Sequence, residues 1–153
     1  MRYALALIPA VILTLGAQSP MPAVYKVEFT VHDHGANSDS HYAIWIDESR
    51  KGLLQAGARV PGFTGAPSSN YIDVGTNIEC SLHETSGRIS LDGAVEVSKI
   101  TGTVSLGSLQ EPIIGQRKVS FRATLDPGVE TAILDEKNDT LPFQVETIVT
   151  KVR

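Results

Sequence analysis

The chain has 153 residues, of which 42% are hydrophobic and 20% charged, with a formal net charge of −4 and a single cysteine. A mildly acidic chain without a basic cluster is a poor nucleic-acid binder and has no polybasic patch for a membrane surface. One cysteine makes no internal disulfide, so the fold must stand on its hydrophobic core rather than on cross-links.

The chain opens MRYALALIPAVILTLGAQSP. Arg2 supplies a positive n-region, Tyr3 to Leu15 is almost wholly apolar, and Gly16 and Ala17 are small, which is the order of a secretory signal peptide. Residues 1–17 are expected to be removed after Ala17, with Gly16 and Ala23 as alternative cut positions. The apolar run is shorter than the about 20 residues a membrane helix needs, and Pro9 interrupts it, which argues against a retained anchor. The absence of a cysteine near the cut argues against a lipoprotein. Nothing after Ala23 is long and apolar enough for a membrane helix. Residues 24–153 are therefore expected to form one exported domain, placed in the periplasm, at the outer membrane or outside the cell.

From there the sequence predicts strands almost throughout. Tyr25, Val27, Phe29 and Val31 alternate with Lys26, Glu28, Thr30 and His32. HYAIWID (His41 to Asp47) and GLLQAGARVP (Gly52 to Pro61) are two further runs, the second stopped by its proline. The one helical candidate, DESRKGLLQAG, is interrupted by Gly52. PGFTGAPSSN is a turn-rich connection. Ile72, Val74, Thr76, Ile78, Cys80 and Leu82 then share one face of a long strand. Thr85-Ser86-Gly87 reads as a tight turn, and Ile89, Leu91, Val95 and Val97 share a face of the returning strand, so the pair is predicted as a β-hairpin. Gly75 and Gly93 within its arms mark a bulge, bend or close backbone approach. Thr101 to Pro112 reads as a loop. Val119, Phe121, Ala123 and Leu125 alternate up to a Pro-Gly turn. VETAIL is a short run, DEKNDT a polar loop, and FQVETIVTKV a final strand. The expected fold is all-β, a sandwich or barrel-like sheet of roughly seven or eight strands.

Few residues carry chemistry. HDHGANSDSH holds His32, His34 and His41, with Asp33 and Asp39 beside them, and is the weak candidate for a zinc, copper or nickel site. Its spacing matches no metal motif, and turn residues fill the stretch, so a polar hairpin loop is expected and no metal or cofactor is assigned. Cys80 alternates with Ile78 and Leu82, so a buried hydrophobe is expected rather than a reactive thiol. There is no Gly-x-Ser-x-Gly elbow and no phosphate-binding loop, and the sequence nominates no catalytic residue, so no enzyme is expected. Trp45 is expected in the core or at a sheet edge. Arg59, Arg88 and Arg117 are expected on a solvated outer face, with ion pairs between subunits as the alternative. Asn138-Asp139-Thr140 fits a glycosylation sequon.

The order of the runs carries a resemblance. Gly57, Val60 and Pro61 form a Gly-x-x-Val-Pro element. Tyr71, Val74, Gly75 and Ile78 form Tyr-x-x-Val-Gly-x-x-Leu-like spacing, followed after the turn by Glu96-Val97-Ser98. Pro112 and Arg117 lead into a strand ended by the Gly128 turn. These elements, spread over residues 52–153, resemble the C-terminal β-domain of the bacterial secretin family of type II and type III secretion and type IV pili. After the glycine turn ETAILDEKND stands where secretins carry a Gly-Gly-Leu stretch. The resemblance implies a secretin-like β-domain in which these residues are structural. It also implies an exported, non-catalytic role in or near an envelope secretion or pilus apparatus, with copies of itself or envelope proteins as partners. The alternative expectation is a soluble periplasmic or secreted binding module presenting the His32–His41 and Pro61–Asn70 loops.

Overall fold

Strict alternation of apolar and polar residues gives each strand one dry and one wet face, and such strands are stable only when two sheets close over their dry faces. The computed structural model describes residues 22–33, 38–62, 70–107, 109–136 and 142–153. The expected signal peptide, His34 and the Asn138 sequon lie outside them, as does most of the Pro61–Asn70 loop. The described residues form eight strands: β1 (Val24–Asp33), β2 (Ser38–Asp47), β3 (Gly52–Pro61), β4 (Tyr71–Thr85), β5 (Arg88–Leu106), β6 (Leu109–Leu125), β7 (Thr131–Glu136) and β8 (Phe143–Lys151). They make two four-stranded antiparallel sheets, in the orders β2-β1-β8-β7 and β3-β4-β5-β6.

The predicted dry faces are the ones that meet. Tyr25, Val27, Phe29 and Val31 of β1 are buried, as are Ile78, Cys80 and Leu82 of β4 and Ile89, Leu91 and Val95 of β5. Phe29 and Phe121 cross between the sheets with ring centroids 6.2 Å apart and planes at 56°. Fully burying one such side chain stabilises by about 1.5–3 kcal/mol. The one buried hydroxyl of β8, Thr147, is satisfied because it donates to the Glu28 carbonyl at 2.9 Å. Tyr42 donates to Thr76 at 2.9 Å across the sheets.

The turn predicted at Thr85–Gly87 is a two-residue hairpin turn: Thr85 pairs with Arg88, and Ser86 and Gly87 both have positive φ (54° and 80°). That conformation matches the twist of the flanking strands. The helical candidate is instead a turn, in which Asp47 accepts the Ser49 amide at 2.9 Å, followed directly by β3.

Two readings are corrected. Thr101–Pro112 is not a loop: β5 and β6 continue as a paired ribbon to Leu106↔Leu109, with one bulge between Ile100 and Gly102. Its Gly102, Gly107 and Pro112 read as loop residues, yet each is tolerated. Gly107 turns the chain at φ 65°, and Pro112 lies on an edge strand, where a missing N–H costs no ladder bond. Likewise β7 takes Asp135 and Glu136 from the predicted polar loop.

Gly75 lies within a continuous register, Gly57↔Gly75↔Ser98, so it is a close approach and not a bulge. A Cβ on Gly75 would stand 2.2 Å from the Ala56 carbonyl oxygen, and its φ of 140° disfavours any side chain. Gly75→Ala is therefore expected to cost about 2 kcal/mol or more. Gly128→Ala, at φ 77° but with open space around it, should cost about 1 kcal/mol. Urea unfolding of the two variants beside wild type measures the difference, and equal costs would contradict the close-approach account.

Candidate assembly surface

Four of the motif residues, Gly57, Gly75, Glu96 and Ser98, gather at one place. The second sheet divides where the β4–β5 ladder ends, at Gly75↔Ser98. Beyond that point β3 and β4 continue as one pair and β5 and β6 as another. Ser98 closes the ladder with its side chain: its Oγ accepts the Gly75 amide at 3.1 Å and donates to the Gly75 carbonyl at 3.4 Å. Glu96, one outward position earlier, accepts from the Gln116 amide at 2.7 Å and faces Lys118 at 3.4 Å. The two facing glycines leave a hollow of about 420 Å³ in the outer face, bordered by Gln55, Asn77, Glu96, Ser98 and the Arg59–Asp73 pair. Asn77 Oδ1 is buried there without a hydrogen-bond partner among the described residues.

The other motif residues are spread out. Ile78 is in the core, and Val60, Val74 and Val97 are half-buried. Tyr71 and Pro61 pair at the far end of β3–β4, where Tyr71 is exposed. Pro112 lies in the ribbon opposite Thr103. Gly128 turns the chain into β7, and its amide donates to the Val149 carbonyl at 2.8 Å.

Arg117 departs from the expected solvated face. It is half-buried, with its guanidinium 5.4 Å from the centre of the Phe143 ring. Beside it Lys99 binds Asp33 at 2.8 Å, which ties the end of β1 to β5. Arg59 and Arg88 do face solvent, paired with Asp73 at 2.9 Å and Asp126 at 3.2 Å. Arg59 belongs to a pattern that was not evident from the sequence. The central strands β4 and β5 carry Asp73, Glu79, Asp92 and Glu96 outward, and their partners are Arg59 of β3, Lys51 just before it, and Arg122 and Lys118 of β6. Such exposed pairs contribute little stability each, but they favour one register of the sheet. The predicted strands held the signal, once their order was known.

The histidine cluster is a polar network. His32 Nδ1 meets Asp39 at 2.8 Å and its Nε2 meets Glu146 at 3.4 Å, while His41 Nδ1 lies 3.2 Å from the Thr30 hydroxyl. Among the described residues no three His, Cys, Asp or Glu side chains are placed to hold a metal ion. The hydrogen bond to Asp39 is the main reason the His32 pKa is raised. Cys80 is buried, and desolvation pushes its thiol up to about 11, far from a reactive thiolate. Trp45 lies at a sheet edge but outside the core, 60% exposed.

At the opposite end of the sandwich Glu84 of β4 accepts from Tyr25 of β1 and from Lys151 of β8, the latter at 2.7 Å. Chiefly through the Lys151 bond, the Glu84 carboxyl is held below its usual range. Burial, then Glu84, raises the Tyr25 phenol above its ordinary value.

No protein-family model matches the sequence, and no curated protein sequence matches it. Solved structures do. The InvG secretin-domain β-barrel of the Salmonella SPI-1 injectisome superposes with a TM-score of 0.59 at 8% identity, over 86% of this chain and 62% of that one. The secretin GspD of the E. coli K12 type II secretion system gives 0.58 at 10%, over 86% and 51%. The V. cholerae type IV competence pilus secretin PilQ gives 0.52 at 9%, over 85% and 58%. The chain thus has the fold of a secretin β-domain, and the likeness reaches beyond the residues 52–153 that carry the motifs. It spans between half and two thirds of the secretin chains it matches.

Two pH effects follow. A lowered folded pKa means Glu84 contributes stability above the ordinary carboxylate range and loses it as pH falls through the folded value. Glu84→Gln should melt below wild type at pH 7, with the gap closing below about pH 4. For His32 the sign is opposite: the raised pKa contributes fully below about pH 6.5 and fades as pH rises. His32→Gln should lose more against wild type at pH 5.5 than at pH 8.5. Thermal melts across pH check both, and gaps that do not change with pH would contradict them.

Proposed function

We propose that this chain is a divergent relative of the secretin β-domain, exported by residues 1–17 and folded from residue 24 onward. In this reading it has a structural, non-catalytic role in or near an envelope secretion or pilus apparatus. The observation that carries the proposal is a pair of sheet edges, in a secretin fold, that no described strand covers. β3 and β6 bound the second sheet, run antiparallel to one another, and are 10 and 17 residues long. Long unpaired edges template pairing with another chain, and antiparallel edges on opposite sides let identical copies continue one sheet head to tail. The motif residues at the sheet's division are then structural: Gly57, Gly75 and Ser98 set where the wall splits into two hairpins. One of these, the β5–β6 ribbon, exposes Ile100, Val104, Leu106 and Ile113 and has Glu111 as its one charge between Lys99 and Arg117. An apolar ribbon of that kind suits contact with a membrane or with neighbouring copies.

A second reading, a soluble periplasmic or secreted binding module, is favoured by the polar hollow over the two glycines with its unpartnered Asn77 oxygen. Fractionation of native cells, followed by mass measurement of the complex holding this chain, separates the two. A multimer in the envelope fraction is expected; a monomer recovered only from the soluble periplasmic or secreted fraction would overturn the assembly reading.

A further inference from the structure

We infer that the hollow over Gly57 and Gly75 is a saccharide site, which takes one ring of a neutral oligosaccharide and passes the chain on toward Tyr71. Such a site rests on the binding reading above and gives it a ligand class. It is compatible with assembly, because its hydrogen-bonding groups are side chains on the outer face of the second sheet and not the backbone of its edges.

The strand register sets the rim and the floor. Gln55, Asn77 and Glu96 lie opposite one another on β3, β4 and β5 and form one wall. In the next outward row Gly57 and Gly75 face each other without side chains, and Ser98 continues that row. Arg59 and Asp73 form the opposite wall in the row beyond. The hollow between them holds about 420 Å³, a size common for small-ligand sites. Its floor is bare backbone, and the Gly75 amide and carbonyl are both bonded to Ser98. A ligand therefore gains close contact from the floor and hydrogen bonds from the rim. A pyranose ring has the matching form, flat, with C–H groups on its faces and hydroxyls around its edge.

Asn77 makes the specific demand. Its Oδ1 is buried without a hydrogen-bond partner among the described residues, which is costly unless a donor comes from outside. The same amide carries N–H donors, so a hydroxyl, which both donates and accepts, matches it. The charges of the rim are already answered: Asp73 by Arg59 at 2.9 Å, and Glu96 by Gln116 at 2.7 Å and Lys118 at 3.4 Å. An ion would shed its water there without gaining a counter-charge, which selects a neutral ligand. An extended peptide would instead pair with an edge strand through its backbone. Tyr71 is the next outward residue of β4 after Asp73, roughly 13 Å along the strand from Gly75. It is 61% exposed, and an exposed ring in line with the hollow is a stacking platform for a further sugar.

The test uses the full chain expressed with its own leader, isotope-labelled and purified. It is titrated with cellotriose, maltotriose and tri-N-acetylchitotriose, and with trialanine and inorganic phosphate for comparison. Binding is followed by calorimetry and by the nuclear magnetic resonances of the Gly57, Gly75 and Asn77 side-chain amides. At least one trisaccharide should bind and shift the Gly57, Gly75 and Asn77 signals before any others. Asn77→Ala removes only an outer-face amide and should bind that sugar about tenfold or more weakly. Tyr71→Ala, at an exposed position, should fold normally and lose the advantage of the trisaccharide over its disaccharide. Equal binding by wild type and Asn77→Ala, or sugar-induced shifts confined to other parts of the fold, overturns the site. Silence toward all three sugars while trialanine or phosphate moves the same signals overturns the saccharide assignment and leaves the binding reading standing. Silence toward every probe overturns both.

Discussion

Two backbones approach too closely for any side chain where Gly57 faces Gly75, and the shape of the second sheet depends on that contact. A Cβ on Gly57 would stand 2.0 Å from the Val74 carbonyl oxygen. With both positions bare, β3 and β4 stay together past the point where β5 leaves, and Ser98 replaces the lost ladder bonds with its hydroxyl. The division decides which surfaces the protein offers: an apolar ribbon on one branch, the β3–β4 pair on the other, and a polar hollow between them. A side chain at either glycine would force the strands apart one residue early and move every outward side chain beyond it.

The sandwich itself was legible because its strands obey a strict two-residue period. The row Ile78, Cys80, Leu82 and the row Ile89, Leu91, Val95 are the core they were read to be, and the hairpin turn between them lies at Ser86–Gly87. Gly93 was legible as a tight place: a Cβ there would meet the Glu79 carbonyl oxygen at 2.3 Å and Phe121 at 2.7 Å. The ribbon was not legible, since glycines, serines and a proline interrupt its apolar residues Ile100, Val104, Leu106 and Ile113 and make it look like a loop. Arg117 was misplaced for a different reason. Its position beside Phe143 depends on how the two sheets are stacked, which no single strand encodes. Of the candidate surface, the motif glycines were visible in the sequence; their convergence with Ser98 and Glu96 depends on strand order.

Polar residues hold the two ends of the sandwich by different means. At one end Glu84 gathers a phenol and an ammonium from the other sheet. At the other, Lys99 and Arg117 reach across to Asp33 and Phe143. Between them the interior is almost purely apolar and Cys80 behaves as one more hydrocarbon-like tooth. The core therefore supplies cohesion, and the end clamps fix how one sheet is set against the other.

The pairing of β1 with β8 has a consequence for how the chain reaches this state. The second sheet is a meander of consecutive strands and forms from near neighbours. The first sheet joins strands far apart in sequence, β1 and β8, with Tyr25 opposite Lys151. Contacts of such long sequence separation are entropically slow to form. Until the last nine-residue strand arrives, the apolar faces of β1 and of the finished meander have no lasting cover. A chain emerging amino-end first thus completes its second sheet early and leaves the dry side of that sheet exposed until β8 can pair with β1.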